Sequence, residues 1–596
     1  MINIPTANRN QLMTDNKKYC KSLTEWNRRR TREVAAGNVV IGGNNPVVLQ
    51  SMTNRRPMET TENVEQIIRI ARAGGQIVRL TAPSVKDAEN LANISRELKN
   101  RGYDIPLVAD IHFNPAAAME AAKHVEKVRI NPGNFAETDK TKVDYTDEEY
   151  SAALQKIKEK FRPLVEYCKT HRVAMRIGSN HGSLSQRIMS RYGDTPEGMV
   201  ESAVEYLKMA VEMDFHDIVI SMKSSNIRVM VQAYRYLAMR LDEEGMDFPF
   251  HLGVTEAGNG EDGIIKSAAG NGALLYDGIG DTIRVSLTDE PENEIPVARY
   301  IVDYAATFSP HPPVPPVMSS VFNPFEFRKR KSRTAGIFGG KNVPKTAGHD
   351  FFVSGDNIII DGEKYKITGG REFDKNTLNE VLSFAEFDIK SLMAKTDELK
   401  NAEKPLVLIF KSDNNFWTSE IRRMFLHLQE NGIDLPVIVR KRYDIKDKDR
   451  YTVEAAMDFG PLFIDGFGDG MIVENDHLTD RQLADFSLSL LQAARSRFTK
   501  ADFISCPSCG RTLFDLQEAT ARIKAATSHL KGVKIGIMGC IVNGPGEMAD
   551  ADYGYVGAGQ GKINLYKGKE VVRKNIPEED AVNQLIELIK ENGDWS

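Results

Sequence analysis

Eight short runs rich in β-branched residues recur through the first three hundred positions, separated by longer amphipathic stretches. They are Val48 to Met52, Ile77 to Thr81, Leu107 to Ile111, Lys127 to Asn131, Ala174 to Gly178, Asp217 to Met222, Phe250 to Thr255 and Thr282 to Leu287. Between them, segments such as Thr61 to Ala73 and Pro196 to Met213 place apolar residues at helical spacing. Strand and helix in alternation build a parallel sheet, because parallel neighbours can be joined only by a crossover. Eight such units in this length are what an α/β protein with a (β/α)8 barrel requires, an open doubly wound sheet being the alternative.

A barrel gathers the C-terminal ends of its strands at one mouth, so the residues standing there can be read as one set. Arg56 follows the first run, and Arg79, Arg129, Arg176, Lys223 and Arg284 lie in or just after five others. Arginine suits a phosphate held in fixed geometry, because its planar fork donates two parallel hydrogen bonds. The expected ligand is therefore a small, highly anionic molecule, diphosphate above all. Asp110 and His112, Asn131 and Asn134, Asn180 and Ser183, and Glu256 supply polar partners at the same ends. A lattice of salt bridges stapling the loops is the plain alternative for any one of them. The glycine-rich stretch Gly258 to Gly272 is expected as a loop whose amides could meet phosphate, while His124 reads as packing or surface.

The chain has 596 residues, enough for about three or four domains of ordinary size. Its net charge of −5 does not suggest a nucleic-acid partner, and no apolar run approaches the roughly 18 residues of a membrane span. The polar, charged stretch from Met1 to Trp26 lacks the features of a secretory or transit signal, so a reducing cytoplasmic setting is expected.

That setting bears on the five cysteines. Cys20 and Cys168 stand alone, whereas Cys506-Pro-Ser-Cys509 and Cys540 cluster near the C-terminus, with Glu547 closely after the third. An odd total with two distant members disfavours disulfides, and the cluster suggests an iron–sulfur site with one odd ligand. Three readings compete: a thioredoxin-like pair between a strand and the helical stretch Gln517 to Ala526, a structural zinc held with His529, and inert buried thiols. Cys540 ends the apolar run Val533 to Met538 and opens a Gly/Pro-rich loop, which weighs against the last.

From about Thr307 the composition changes. Ser309 to Pro316 is a stiff proline-rich linker, and Arg328 to Arg333 reads as a solvated connection. Strand-like runs follow at Asn357 to Ile367, Leu406 to Phe410, Leu435 to Val439 and Leu462 to Ile464, with a helix expected over Phe416 to Glu430. This middle region is α/β again, without a comparable set of cations at strand ends, and reads as a spacer. Asp465 and Asp469 with their glycines lack EF-hand spacing and read as a turn.

Leu49-Gln-Ser-Met-Thr-Asn, Leu107-Val-Ala-Asp-Ile-His-Phe, Arg129-Ile-Asn-Pro-Gly-Asn, Thr255-Glu-Ala-Gly, Gly278-Ile-Gly-Asp-Thr-Ile-Arg and the Cys506 and Cys540 motifs closely resemble the 4-hydroxy-3-methylbut-2-enyl diphosphate synthase family of the methylerythritol phosphate route to isoprenoids. Arg176-Ile-Gly-Ser-Asn-His-Gly-Ser-Leu-Ser and the long middle region look like its three-domain, plant-type form. The resemblance implies a TIM barrel over residues 1–305, an incomplete barrel-like insert over 306–495, and a C-terminal α+β iron–sulfur domain of the sulfite-reductase type over 496–596.

It also implies a reaction: two-electron reductive ring opening of 2-C-methyl-D-erythritol 2,4-cyclodiphosphate, with loss of water, to (E)-4-hydroxy-3-methylbut-2-enyl diphosphate. A [4Fe–4S] cluster would be held by Cys506, Cys509, Cys540 and Glu547. Arg56, Asp110, Arg129, Asn131, Arg176, Asn180, Ser183, Lys223 and Arg284 would bind the substrate. Glu256 would deliver a proton to the leaving hydroxyl, and Asn543 would reach the substrate from the cluster side. Ferredoxin or flavodoxin with its reductase would supply electrons to a monomer or homodimer, direct use of NAD(P)H being the alternative, although no Gly-x-Gly-x-x-Gly follows a strand to argue for a built-in nucleotide site. In the shorter family form the cluster domain caps a partner's barrel, and a spacer of this size could return it to its own. A zinc-stabilised module that binds an anionic metabolite, and an iron–sulfur dehydratase needing no external electrons, are the competing functions.

Overall fold

The structure is a computed structural model that describes residues 18–111, 113–137, 142, 144–318, 322–541, 546, 548 and 550–595. Eight parallel strands form its first sheet: β1 (Val48–Met52), β2 (Ile77–Thr81), β3 (Leu107–Asp110), β4 (Lys127–Ile130), β5 (Ala174–Asn180), β6 (Ile218–Lys223), β7 (His251–Leu252) and β8 (Thr282–Ile283). Their order is β6-β5-β4-β3-β2-β1-β8-β7, and a parallel bridge between Ile220 and Phe250 joins the two ends, so the sheet closes. The expected barrel is present, and the doubly wound alternative is excluded. Beneath it the hairpin of Val34–Ala36 and Val39–Ile41 packs with Val48, Ile77, Val108, Ala174 and Val219, an apolar floor to the interior.

Outside lie α1 (Thr60–Arg72), α2 (Val85–Asn100), α3 (Pro115–Ala121), α4 (Asp147–His171), α5 (Pro196–Glu212), α6 (Ile227–Glu243), α7 (Gly260–Tyr276) and α8 (Glu294–Ala305). Helix α7 corrects the glycine loop expected over 258–272. At one of its glycines another helix passes closely: a Cβ at Gly272 would stand 2.7 Å from Met457 Cγ.

That other helix belongs to the insert. The insert's strands are β9 (Lys345–Thr346), β10 (Phe352–Ser354), β11 (Asn357–Ile360), β12 (Glu363–Gly369), β13 (Ser383–Phe387), β14 (Leu406–Phe410), β15 (Val437–Tyr443) and β16 (Gly470–Asn475), in the order β9-β16-β15-β14-β13-β12-β11-β10. The run expected over 357–367 is two antiparallel strands rather than one. Helices α9 (Trp417–Glu430), α10 (Lys448–Ile464) and α11 (Asp480–Ala493) cover the sheet. Leu462 to Ile464, expected as a strand, is the last turn of α10, which is buried nearly all round and so carries no amphipathic period. Helices α7 and α10 pack through small residues, a Cβ at Gly460 falling 2.5 Å from Ala269 Cβ. Arg330, placed by sequence in a solvated connection, is buried and donates to the carbonyls of Leu435 and Ile433.

The insert repeats a piece of the barrel. Asp277-Gly278-Ile279-Gly280-Asp281 leads from α7 into β8, and Asp465-Gly466-Phe467-Gly468-Asp469 leads from α10 into β16. Gly278 and Gly466 both have positive φ and both accept an amide from a chain crossing below, Arg29 at 2.8 Å and Arg330 at 2.9 Å. Asp281 accepts from the Phe250 amide, Asp469 from the Val437 amide. The two copies face each other: Arg235 of α6 and Arg422 of α9 each bridge both Asp277 and Asp465 in a fully buried ring.

The C-terminal part has five strands in sequence order, β17 (Asp502–Ser505), β18 (Lys534–Met538), β19 (Tyr553–Gly559), β20 (Lys562–Lys567) and β21 (Glu570–Pro577). The first three are parallel and the rest antiparallel. Helices α12 (Leu516–Thr527) and α13 (Glu578–Glu591) complete an α+β unit. Among the described residues no helix is long and apolar enough to cross a membrane.

Candidate functional site

Side chains alternate along a strand, so in a closed barrel every second residue points inward. At the C-terminal ends of β1 to β6 this alternation turns Met52, Arg79, Asp110, Arg129, Arg176, Asn180 and Lys223 into one cavity, with Thr255, Glu256, Arg284 and Ser286 from the following strand ends. The opposite wall is Cys506 to Cys509, Arg511 and Met538 to Cys540, from the C-terminal part of the same chain. The cavity encloses about 720 Å³ outside protein atoms, including space open to solvent. Among the described lining residues six cations face two carboxylates.

The cations are held stiffly. Arg129 donates through Nη1 to Asp110 Oδ1 at 2.9 Å and through Nη2 to the Gly178 carbonyl at 2.9 Å and Asn180 Oδ1 at 3.2 Å. Arg284 is bidentate on Glu294, Nη2 at 2.9 Å and Nε at 3.1 Å, so its charge is already partly answered. Arg79 points both Nε and Nη2 at Met52 Sδ. Burial and the like charges of Arg284, Arg129 and Arg511 push its guanidinium down to about 10, against the pull of Asp110. Burial, then the neighbouring cations, lowers Arg176 and Lys223 well below their ordinary values. A site that disfavours its own positive charge this strongly is stabilised by an incoming anion.

One layer deeper, Lys127 lies on the inner face of β4, fully buried, with no hydrogen-bond partner for Nζ among the described residues. Burial first, then Arg176 and Arg79, pushes it down to about 7. Glu256 stands just beyond β7 at a φ of 50°, a left-handed conformation that a non-glycine residue holds only under constraint from its surroundings. The next residue, Ala257, pairs with Ser505 by a β-bridge to the C-terminal part.

Cys506, Cys509 and Cys540 line the cavity together. The Gly539 amide donates to Cys506 Sγ at 3.3 Å, while burial and then Cys509 hold the Cys506 thiol far above its ordinary range, with a smaller push from Cys540. Among the described residues no three His, Cys, Asp or Glu side chains converge on a single ion position. His529, the fourth ligand of the zinc alternative, stacks edge-on against Trp595 and does not line the cavity. Three thiols lining one cavity wall are donors of the kind a cubane takes, each to a different iron. Glu547, Asn543 and His112 lie outside the described residues.

The two walls are fastened to each other. Thr288 donates to the Cys506 carbonyl and contacts Ser505 Oγ, each at 3.1 Å. Lys266 pairs with Asp502 at 2.9 Å and Lys500 with Asp262 at 2.7 Å. Gly510 is pressed against the barrel so closely that a Cβ would fall 2.4 Å from the Arg55 carbonyl.

Of the residues expected from sequence, Asp110, Arg129, Arg176, Asn180, Lys223, Glu256 and Arg284 line the cavity with the three cysteines. Arg56 does not: it is exposed outside the lining. Asn131 and Ser183 are also outside it, hydrogen-bonded to each other at 3.1 Å, with Asn131 capping the short helix Pro132–Phe135. Arg511, two positions after Cys509, also lines the cavity and is not among the residues expected from sequence, where the motif's thiols carry the signal. The insert does carry cations at its strand ends, but Lys411, Arg440 and Lys441 are paired to Glu386, Glu474 and Asp458. Its mouth is neutralised where the barrel's is not.

Residues 31–299 match the family model described as the GcpE TIM-barrel domain, and residues 502–591 match the GcpE protein C-terminal domain. A protein of Phocaeicola vulgatus named 4-hydroxy-3-methylbut-2-en-1-yl diphosphate synthase (flavodoxin) is 48% identical, covering 96% of this chain and 99% of the relative. Relatives of the same name from Bacteroides thetaiotaomicron, 48% identical over 95% of this chain and 98% of theirs, and Leptospira interrogans, 44% identical over 97% and 99%, match equally along their length.

Proposed function

This chain belongs to the GcpE family, and from that premise and the cavity above we propose that it converts 2-C-methyl-D-erythritol 2,4-cyclodiphosphate to (E)-4-hydroxy-3-methylbut-2-enyl diphosphate. The observation that carries the reading is one cavity whose described lining residues include six cations, with three cysteines along one side. Two electrons enter, a ring C–O bond to phosphate breaks, and the hydroxyl leaves as water with one proton.

Arg129, Arg176, Lys223 and Arg284 hold the diphosphate on the barrel side, with Asn180 adding a neutral hydrogen bond. Asp110 keeps the Arg129 fork aimed inward. Glu256 is the proton donor to the departing hydroxyl, since it is the carboxyl that faces the cavity from the strand end nearest the cysteine wall. Cys506, Cys509 and Cys540 would hold a [4Fe–4S] cluster, with Glu547 and Asn543 in the roles the family resemblance gives them. When bound, that cluster supplies the electrons and a Lewis-acidic iron. Closure of the two walls keeps water from the reduced intermediate. The chain is read as barrel, insert and cluster domain over 1–305, 306–495 and 496–596. A flavodoxin-class protein is the proposed electron donor, in keeping with the relatives' names.

The test is the protein purified without oxygen. About four irons and four sulfides per chain, and turnover of the cyclodiphosphate that depends on an added reductant, are expected. One zinc without sulfide, or turnover without reductant, would replace this reading with one of its competitors.

A further inference from the structure

We propose that Lys127, in the barrel interior beneath the cavity, is an uncharged amine above neutral pH until substrate binds, and then takes a proton from solvent, so that a positive charge arrives under the diphosphate together with it. This rests on the cavity being a cyclodiphosphate site.

Strand register places Lys127. On β4 it pairs with Val108 on one side and Ala174 on the other. Both belong to the apolar floor with Val48, Ile77 and Val219, so Lys127 points into the barrel at the level of that floor. Two residues further up β4, a rise of about 7 Å, Arg129 lines the cavity. Between floor and cavity Gln50 of β1, Arg176 of β5 and His251 of β7 also point inward, by their pairing with Ile77, Arg129 and Thr282. All four side chains are buried, and Lys127 Nζ, His251 Nε2, both Gln50 amide atoms and Arg176 Nε and Nη1 have no hydrogen-bond partner among the described residues.

A buried ammonium is costly unless a negative charge answers it, and otherwise it gives up its proton. At these two levels none of the described inward residues is acidic. Above Lys127 stand Arg79 of β2, Arg129 of β4, Arg176 of β5, Lys223 of β6 and Arg284 just beyond β8. Asp110 of β3 is bonded by Arg129 at 2.9 Å, and Glu256 lies past the end of β7. His251 is held uncharged at neutral pH by burial first, then by Lys223, Arg176 and Lys127. Burial, then Arg176 and Arg79, brings Lys127 itself to about 7. A diphosphate among those cations reverses the sign of the field below them, and the amine becomes the easier group to charge.

The test is calorimetry of the cyclodiphosphate binding to the cluster-loaded full chain without reductant, in two buffers of different ionisation enthalpy, which counts the protons taken up. The ligand's phosphates have no ionisation near neutral pH. Lys223 can gain a proton too, so wild type is compared with Lys127→Met and Lys127→Gln. At pH 8 the wild type is expected to take up more than either variant, by an amount approaching about one proton per chain. At pH 6, where Lys127 is already about nine-tenths charged, the excess should shrink to about a tenth. Wild-type affinity should also weaken from pH 6 to pH 8 more steeply than that of the variants, because proton uptake and affinity are linked. Lost packing alone would move neither the proton count nor that slope. Equal uptake in wild type and both variants would overturn the role of Lys127 while leaving the substrate site standing. If the wild type does not bind the cyclodiphosphate, the cavity reading fails and this inference with it.

Discussion

Arg235 and Asp465 meet across the junction of barrel and insert, Nη1 to Oδ1 at 2.5 Å, and Asp277 and Arg422 complete a ring from which water is excluded. Two charges of each sign cancel there, so removing one member strands a buried charge. Arg235→Met is expected to destabilise the chain by about 3–5 kcal/mol, read from chemical denaturation. Arg235→Met with Asp465→Asn restores neutrality and should be less harmful than the sum of the two single changes.

Glu256→Gln keeps the size and polarity of the side chain but removes its proton. The expected result is a kcat lower by about 10² to 10⁴ with KM little changed, measured on the cyclodiphosphate with excess reductant. A KM effect alone would place Glu256 in binding instead.

Lys127 makes a prediction about pH. Its folded value of about 7 lies below that of a solvated lysine, so the folded state binds fewer protons than the unfolded one above neutrality. The penalty is full below about pH 7 and fades as pH rises toward the unfolded value near about 10.4. Lys127→Met should raise Tm more at pH 6 than at pH 9. An equal gain at both would mean that the amine keeps its ordinary lysine value in the fold and stays charged at both pH values.

Gly510→Ala puts a methyl into the Arg55 carbonyl. The cluster should still assemble, with unaltered absorption, while kcat/KM falls by about 10²-fold through misplacement of the two walls.

Mixing a barrel-site variant, Arg129→Ala, with a cluster-site variant, Cys509→Ser, should restore no activity, because each chain supplies both walls of its own cavity. Substantial recovery would show exchange of C-terminal parts between chains.

Much of this was legible in the sequence because parallel strands are buried on both faces and read as continuous β-branched runs. The cations at their ends followed from the barrel alone. What spacing could not show is which way a side chain leaves a loop: Arg56 turns outward, and Asn131 and Ser183 satisfy each other. Buried helices deceived for the opposite reason. Helix α7 is buried nearly all round and meets α10 closely at Gly272, and α10 is buried on most sides too, so neither shows the one-sided pattern that marks a surface helix. The stretch Asp465 to Asp469 reads as a turn in the sequence and Gly278 to Arg284 as a family motif; the ring of Arg235 and Arg422 shows that Asp277 to Asp281 and Asp465 to Asp469 belong to copies of one unit.

The short connection from α11 to β17 means that the cysteine wall never has to find its barrel by diffusion. Tethering holds the two at an effective concentration of about millimolar, whatever the amount of enzyme in solution. Activity per molecule should then be the same in a dilute sample as in a concentrated one, and scarcity of the protein would lower flux in proportion, with no threshold.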